Sequence, residues 1–235
     1  MPMASEPKAL PQCALVSTAG SLTGKMHGPE IDAHEAVIRL GQGPTGGHYM
    51  QDVGSRTDVR IANTYIFTST HSNLTMFKTT LESEGWPRIV LLASDCHSRR
   101  ERWAMVLSCI PVPRCAANLV RRAKPTSGLN TALLLLGGNG TQMPPWMPRC
   151  DSLHLYGFGG TDDPSAPYHY WSDGTYHDKL NSTKFYETSR RQSGHSFNQE
   201  HALLRTKLGG NTSLDGPFII QRAAVAAQCA TKRNV

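Results

Sequence analysis

Five stretches of the chain are near-continuous apolar runs of strand length: Cys13-Ala-Leu-Val16, Ala36-Val-Ile-Arg-Leu40, Arg88-Ile-Val-Leu-Leu-Ala93, Ser152-Leu-His-Leu-Tyr156 and Phe218-Ile-Ile220. Longer stretches with helical spacing lie between them, near residues 73–84, 99–108, 126–136 and 196–207. Continuous apolar runs, rather than alternating ones, belong to strands covered on both faces. Strands that alternate with helices predict an α/β fold with a mostly parallel sheet. Ligands in such sheets sit at the carboxyl ends of the strands, where the turns gather. The pattern predicts one domain over residues 13–222, with a frayed leader at 1–12 and a tail at 223–235.

Composition narrows the picture. With 39% hydrophobic residues in a chain of 235, the sequence supports a sizeable core and is not that of a disordered chain. No apolar stretch approaches the roughly 20 residues of a membrane helix, so no membrane segment is expected within these residues. Lys and Arg total 24 against 18 Asp and Glu, a net charge of +6 that is spread along the chain. Nucleic-acid modules cluster such charge and interleave aromatics, so no nucleic-acid partner is expected. The balance suits a small anionic substrate instead. Six cysteines, without a C-x-x-C spacing, argue against a zinc site. Their pairing stays open, and buried free thiols are one of the alternatives.

Two turns have the composition of anion sites. Thr126-Ser127-Gly128 follows Pro125 and opens a predicted helix, offering free N–H groups and hydroxyls. The small, polar turn Ser17-Thr-Ala-Gly-Ser21 follows the first strand. His195 precedes Ser196-Phe-Asn-Gln199, an S-x-x-Q capping box, and so stands just before a helix N-terminus. The helix dipole there disfavours imidazolium, and a neutral histidine can take a proton as a general base. Glu200, one turn on, is placed to hold this segment. His169 lies in the aromatic stretch Tyr168-His-Tyr-Trp171. No D-x-D pair or carboxylate–histidine cluster suggests a metal, and none is expected.

In order and spacing these pieces resemble the animal-type sialyltransferases, glycosyltransferase family 29. The large sialylmotif is matched by Cys13-Ala-Leu-Val, Gly28-Pro-Glu-Ile-Asp-Ala-His34, Val37-Ile-Arg39, Pro44-Thr45 and Asp52-Val-Gly-Ser-Arg-Thr57. Pro125-Thr-Ser-Gly128, Cys150-Asp151 and Tyr156-Gly-Phe-Gly159 match the small motif. His169-Tyr-Trp171 matches motif III, and His195 to Glu200 matches the H-x-x-x-x-E of the very small motif. The resemblance implies a single Rossmann-like domain, a variant GT-A fold. It implies transfer of sialic acid from CMP-sialic acid to a hydroxyl of a glycan acceptor, a galactoside on glycoprotein or glycolipid, with inversion and without a metal or other cofactor. In that reading His195 is the general base and His169 stabilises the departing phosphate. Gly20, Thr126, Ser127, Gly128 and Tyr170 hold the donor, Glu200 gives structural support, and Cys13 and Cys150 form a disulfide. The family setting is the Golgi, lumen or membrane.

The sequence departs from the family pattern at the first turn, where Thr18 stands for an Asn, and at Gly41, which stands for another. The stretch between Gly128 and Cys150 is also longer than usual. These departures leave two alternatives: transfer of a different CMP-activated acid sugar, such as Kdo or Kdn, and an inactive relative that binds glycan or nucleotide.

Overall fold

The computed structural model describes residues 9–63, 71–93, 108–111, 126–137, 143–158, 167–171, 197–208 and 217–230. They contain one seven-stranded sheet in the order β5-β4-β3-β2-β1-β6-β7. The strands are β1 (Leu10–Val16), β2 (Ala36–Leu40), β3 (Val59–Asn63), β4 (Arg88–Ala93), β5 (Ser108–Pro111), β6 (Cys150–Tyr156) and β7 (Phe218–Gln221). Every pairing is parallel except that of β6 with β7. The mostly parallel α/β sheet expected from the sequence is the observed one.

The helices are α1 (Gly28–Asp32), α2 (Met50–Val53), α3 (His71–Ser83), α4 (Ser127–Leu135), α5 (Phe197–Thr206) and α6 (Arg222–Ala230). They divide between the two faces of the sheet because alternate strand residues point opposite ways. Cys13, Leu15, Ile38 and Ile61 pack with Leu129, Leu133, Leu203 and Val225 of α4, α5 and α6. Ala14, Val16 and Val37 pack on the other side, with Ile31 of α1, Val53 of α2 and the ring of Trp171. Helix α4 is buried from Gly128 to Leu135, which explains why its sequence is apolar all round rather than along one stripe.

Two strands escape the apolar pattern. Arg60 interrupts β3, yet its side chain is buried and paired with Glu84, so a charge occupies a core position. Strand β5 is only four residues long, and its first, Ser108, closes the expected helix 99–108, whose other residues lie outside those described. Residues 223–230, expected as the start of a tail, belong to helix α6, with Val225 fully buried. The expected leader, in turn, contributes Leu10 to β1.

Cys13 and Cys150 are joined by a disulfide across 137 residues of sequence. It fastens β1 to β6, the two strands that meet where the chain changes direction through the sheet. Cys229 is also disulfide-bonded, and no described cysteine is a free thiol. Replacing Cys13 and Cys150 together by serine is expected to lower the unfolding free energy by about 2–4 kcal/mol. Chemical denaturation checks this, and an unchanged midpoint would count against the bridge as a structural element.

Candidate active site at the sheet switch point

The sheet runs outward from β1 to β5, then returns to place β6 on β1's other side. A crevice at such a switch point, beyond the carboxyl ends of the strands, is where ligands bind in open α/β sheets. The turn after β1 is stitched to the end of β6 here. The Ser17 N–H donates to the Tyr156 carbonyl at 2.9 Å, and the Ser17 hydroxyl donates to the Gly157 carbonyl at 2.8 Å. The Ser17 oxygen in turn accepts from the Ala19 N–H at 3.2 Å.

Residues 167–171 lie along this turn as an extra antiparallel strip. Ala19 bridges His169, the Gly20 N–H donates to the Tyr168 carbonyl at 3.1 Å, and the Tyr170 N–H donates to the Thr18 carbonyl at 3.3 Å. A Cβ on Gly20 would collide with the Pro167 carbonyl. The glycine is therefore required by the chain's own close approach, before any ligand is considered. His169 is half-buried and stacks on Trp171, with ring centroids 4.4 Å apart and planes 8° off parallel. Tyr170 faces inward. It is 9% exposed and its hydroxyl donates to the Pro44 carbonyl at 2.8 Å. Burial pushes its phenol up to about 12. In this arrangement Tyr170 braces a loop.

That loop, after β2, is held by side chains at four successive carbonyls. Arg60 donates from Nη1 to Gly41 and Gly43 at 3.1 Å each, Thr80 of α3 donates to Gln42 at 3.1 Å, and Tyr170 takes Pro44. Arg60 itself is fixed by a buried ion pair with Glu84, which also accepts from the Thr45 hydroxyl. Arg39, beside Arg60 in the sheet, is lowered to about 10, by burial first and then by the neighbouring guanidinium. Sequence reasoning missed Arg60, Thr80 and Glu84 as builders of this loop. The one signal was a charged residue inside an apolar run.

On the opposite face, the N-terminus of α4 brings together three of the residues singled out by sequence. Thr126 is the N-cap, its hydroxyl oxygen accepting from the Leu129 N–H at 3.2 Å. Gly128 lies against Phe158 and Leu40, and a Cβ there would meet the Phe158 ring at 2.6 Å. Glu200 reaches across from α5. Its carboxylate accepts from the Thr126 N–H at 2.7 Å and from the Thr126 hydroxyl at 2.6 Å. With Thr126 and Leu129 engaged, the N–H groups of Ser127 and Gly128 make no hydrogen bond to the described residues. His195 lies outside the described residues, five positions before Glu200 in the chain. Among the described residues no group of three or more His, Cys, Asp and Glu side chains could hold a metal ion.

Burial holds the Glu200 carboxyl up at about 7, against the pull of its two Thr126 hydrogen bonds. An acid raised in the fold binds more proton folded than unfolded between pH 4.5 and 7. Its contribution to stability is therefore complete below 4.5 and is lost as pH rises through 7, by about 3 kcal/mol at most. Glu200→Gln keeps an acceptor for Thr126 and is expected to flatten that slope. Unfolding free energies across this pH range check it; an identical slope in the variant would refute the assignment.

Residues 1–97 match the family model for glycosyltransferase family 29 (sialyltransferase). Over 89 residues the chain is 46% identical to beta-galactoside alpha-2,6-sialyltransferase 2 of Bos taurus, covering 38% of this chain and 17% of that protein. Over 92 residues it is 40% identical to beta-galactoside alpha-2,6-sialyltransferase 1 of Homo sapiens, covering 39% of this chain and 21% of that protein. The alignments thus span about a fifth or less of these relatives' own length. A crystal structure of a mammalian sialyltransferase in complex with Gal-beta-1-3GalNAc-ortho-nitrophenol overlaps 81% of this chain and 68% of that one. Its TM-score is 0.45 at 19% identity. The likeness to glycosyltransferase family 29, the sialyltransferase family, thus rests on residues 1–97, less than half of the chain.

Proposed function

We propose that the chain transfers sialic acid from CMP-sialic acid to a hydroxyl of a galactoside on a glycoprotein or glycolipid, inverting the anomeric carbon without a metal. The observation that carries this reading is the grip of Glu200 on Thr126, between residues 74 apart. It ties the first turn of α5, five residues after His195 in the sequence, to the helix start whose Ser127 and Gly128 N–H groups remain available. Those groups, at the positive end of α4, suit the phosphate of an activated sugar. His195 takes the proton of the acceptor hydroxyl as its oxygen attacks the anomeric carbon. The bond to the CMP phosphate breaks with its electron pair, and His169 stabilises the departing charge. The disulfide between Cys13 and Cys150 suits an oxidising lumen, in keeping with a Golgi setting.

The test is CMP release from CMP-Neu5Ac with a panel of galactosides and a chelator present. Acceptor-dependent release is expected, with His195→Ala losing it by at least about a hundredfold while still binding CMP. Near-normal turnover in that variant would remove the base assignment. Binding of CMP without release, from any CMP-sugar, would point to an inactive relative.

The first alternative donor has one observation in its favour. Gly41 takes φ +65°, a conformation that Asn tolerates among non-glycine residues, and a Cβ placed on it would lie 3.3 Å from the Thr18 methyl. Both family asparagines are thus replaced on facing turns. Gly41→Asn is expected to tighten CMP-Neu5Ac binding by up to about tenfold, one hydrogen bond's worth. Unchanged Neu5Ac binding, together with preferred turnover of CMP-Kdo, would favour the other acid sugar.

A further inference from the structure

The amino ends of the parallel strands, opposite the crevice, border a cavity of about 480 Å³. That lies within the roughly 300–1,000 Å³ of small-molecule sites. Strands of five to seven residues, at about 3.3 Å each, put roughly 15–25 Å of sheet between the two ends. Arg88 opens β4, Asp58 and Glu35 immediately precede β3 and β2, Leu10 opens β1, and Arg149 immediately precedes β6. In the strand order β4-β3-β2-β1-β6 these lining residues follow one another as a cation, two anions, an apolar residue and a cation. Glu35 and Arg88 are exposed, so ligand can reach this edge. The rest of the wall comes mainly from residues 145–149, with Trp146 between two prolines. They belong to the stretch between Gly128 and Cys150 that is longer than the family pattern.

The lining is held in place by its own contacts. The Arg88 guanidinium lies over the Trp146 ring, 5.2 Å from its centroid, and Nη1 donates to the Trp146 carbonyl at 3.2 Å. The Leu10 N–H donates to the Arg149 carbonyl at 2.7 Å. Glu35 Oε2 accepts from the Gln12 N–H, while Asp58 Oδ2 accepts from the Val37 N–H and pairs with Arg56. Capacity is left over: Arg88 Nε and Nη2, Glu35 Oε1 and Asp58 Oδ1 make no hydrogen bond to the described residues. Two guanidiniums and two carboxylates cancel, so the lining draws neither an anion nor a cation. It offers donors and acceptors together, beside an indole. An uncharged pyranose matches that set, with hydroxyls that both donate and accept and with C–H groups that pack on an aromatic face. We propose that this cavity is a second ligand site, taking an uncharged pyranose, free or within a glycan chain, at the end of the sheet remote from the crevice. The inference does not rest on the donor-site reading.

Ligand-observed NMR tests it with methyl glycosides of galactose, glucose, mannose and N-acetylglucosamine, and with a neutral biantennary N-glycan. At least one of these probes is expected to bind the parent protein. Arg88→Met keeps the side-chain stem and removes the donors, and is expected to weaken that binding by about three- to tenfold. Trp146→Ala is expected to abolish it. Tighter binding of the N-glycan than of any methyl glycoside would identify a chain as the ligand, and equal binding a single ring. Binding by none of the probes would overturn the proposal. So would binding that both variants leave within about twofold of the parent, since the sugar would then sit elsewhere. Should Trp146→Ala lower Tm by more than a few degrees, Arg88→Met, at an exposed position, decides alone. CMP takes no part in these measurements, so failure of the donor-site reading would leave their result standing.

Discussion

Everything at the crevice depends on β1 and β6 lying side by side. They are the innermost strands of two chain segments that run in opposite directions through the sheet, and parallel hydrogen bonding joins the segments along this line. The disulfide between Cys13 and Cys150 closes that line covalently. Beyond it, Ser17 bonds both Tyr156 and Gly157, so the two turns that emerge there are one unit rather than two mobile loops. A ligand site at such a place inherits the rigidity of the central sheet.

Much of the charge in the matched motifs is spent on architecture. Asp32 accepts from Ser55 and Arg56, and Asp52 accepts from Gly24 and Met26. Arg39 donates to the Arg56 carbonyl and the Thr57 hydroxyl. Buried or half-buried groups of this kind are kept because removing one partner leaves the other unmet, which costs more than the bond contributes. A family signature can therefore persist through folding needs, whereas activity must be argued from the few groups that remain uncommitted. Among the described residues these include the Ser127 and Gly128 N–H groups.

Glu200 illustrates how one carboxylate couples distant parts. Removing it from water costs enough to hold its pKa near neutrality, although two hydrogen bonds from Thr126 favour the anion. The fold accepts that cost at the point where α5 meets the start of α4.

The apolar runs determined five of the seven strands and the helices α3, α4 and α5, because strands covered on both faces need continuous hydrophobicity whatever their partners. Ordered motifs likewise marked the turns at Ser17 and Thr126, since caps and tight turns demand particular small residues locally. Strand β3 was hidden, for Arg60 is tolerable inside a sheet only once α3 and its end supply Glu84 from 24 residues away. The use of Gly20 and Tyr170 was also decided by tertiary structure: one admits the Pro167 backbone, the other holds Pro44. Sequence specifies what each residue can do alone, through size, charge and backbone freedom. Which partner uses that capacity depends on distances between segments far apart in the chain, and only the folded structure sets those.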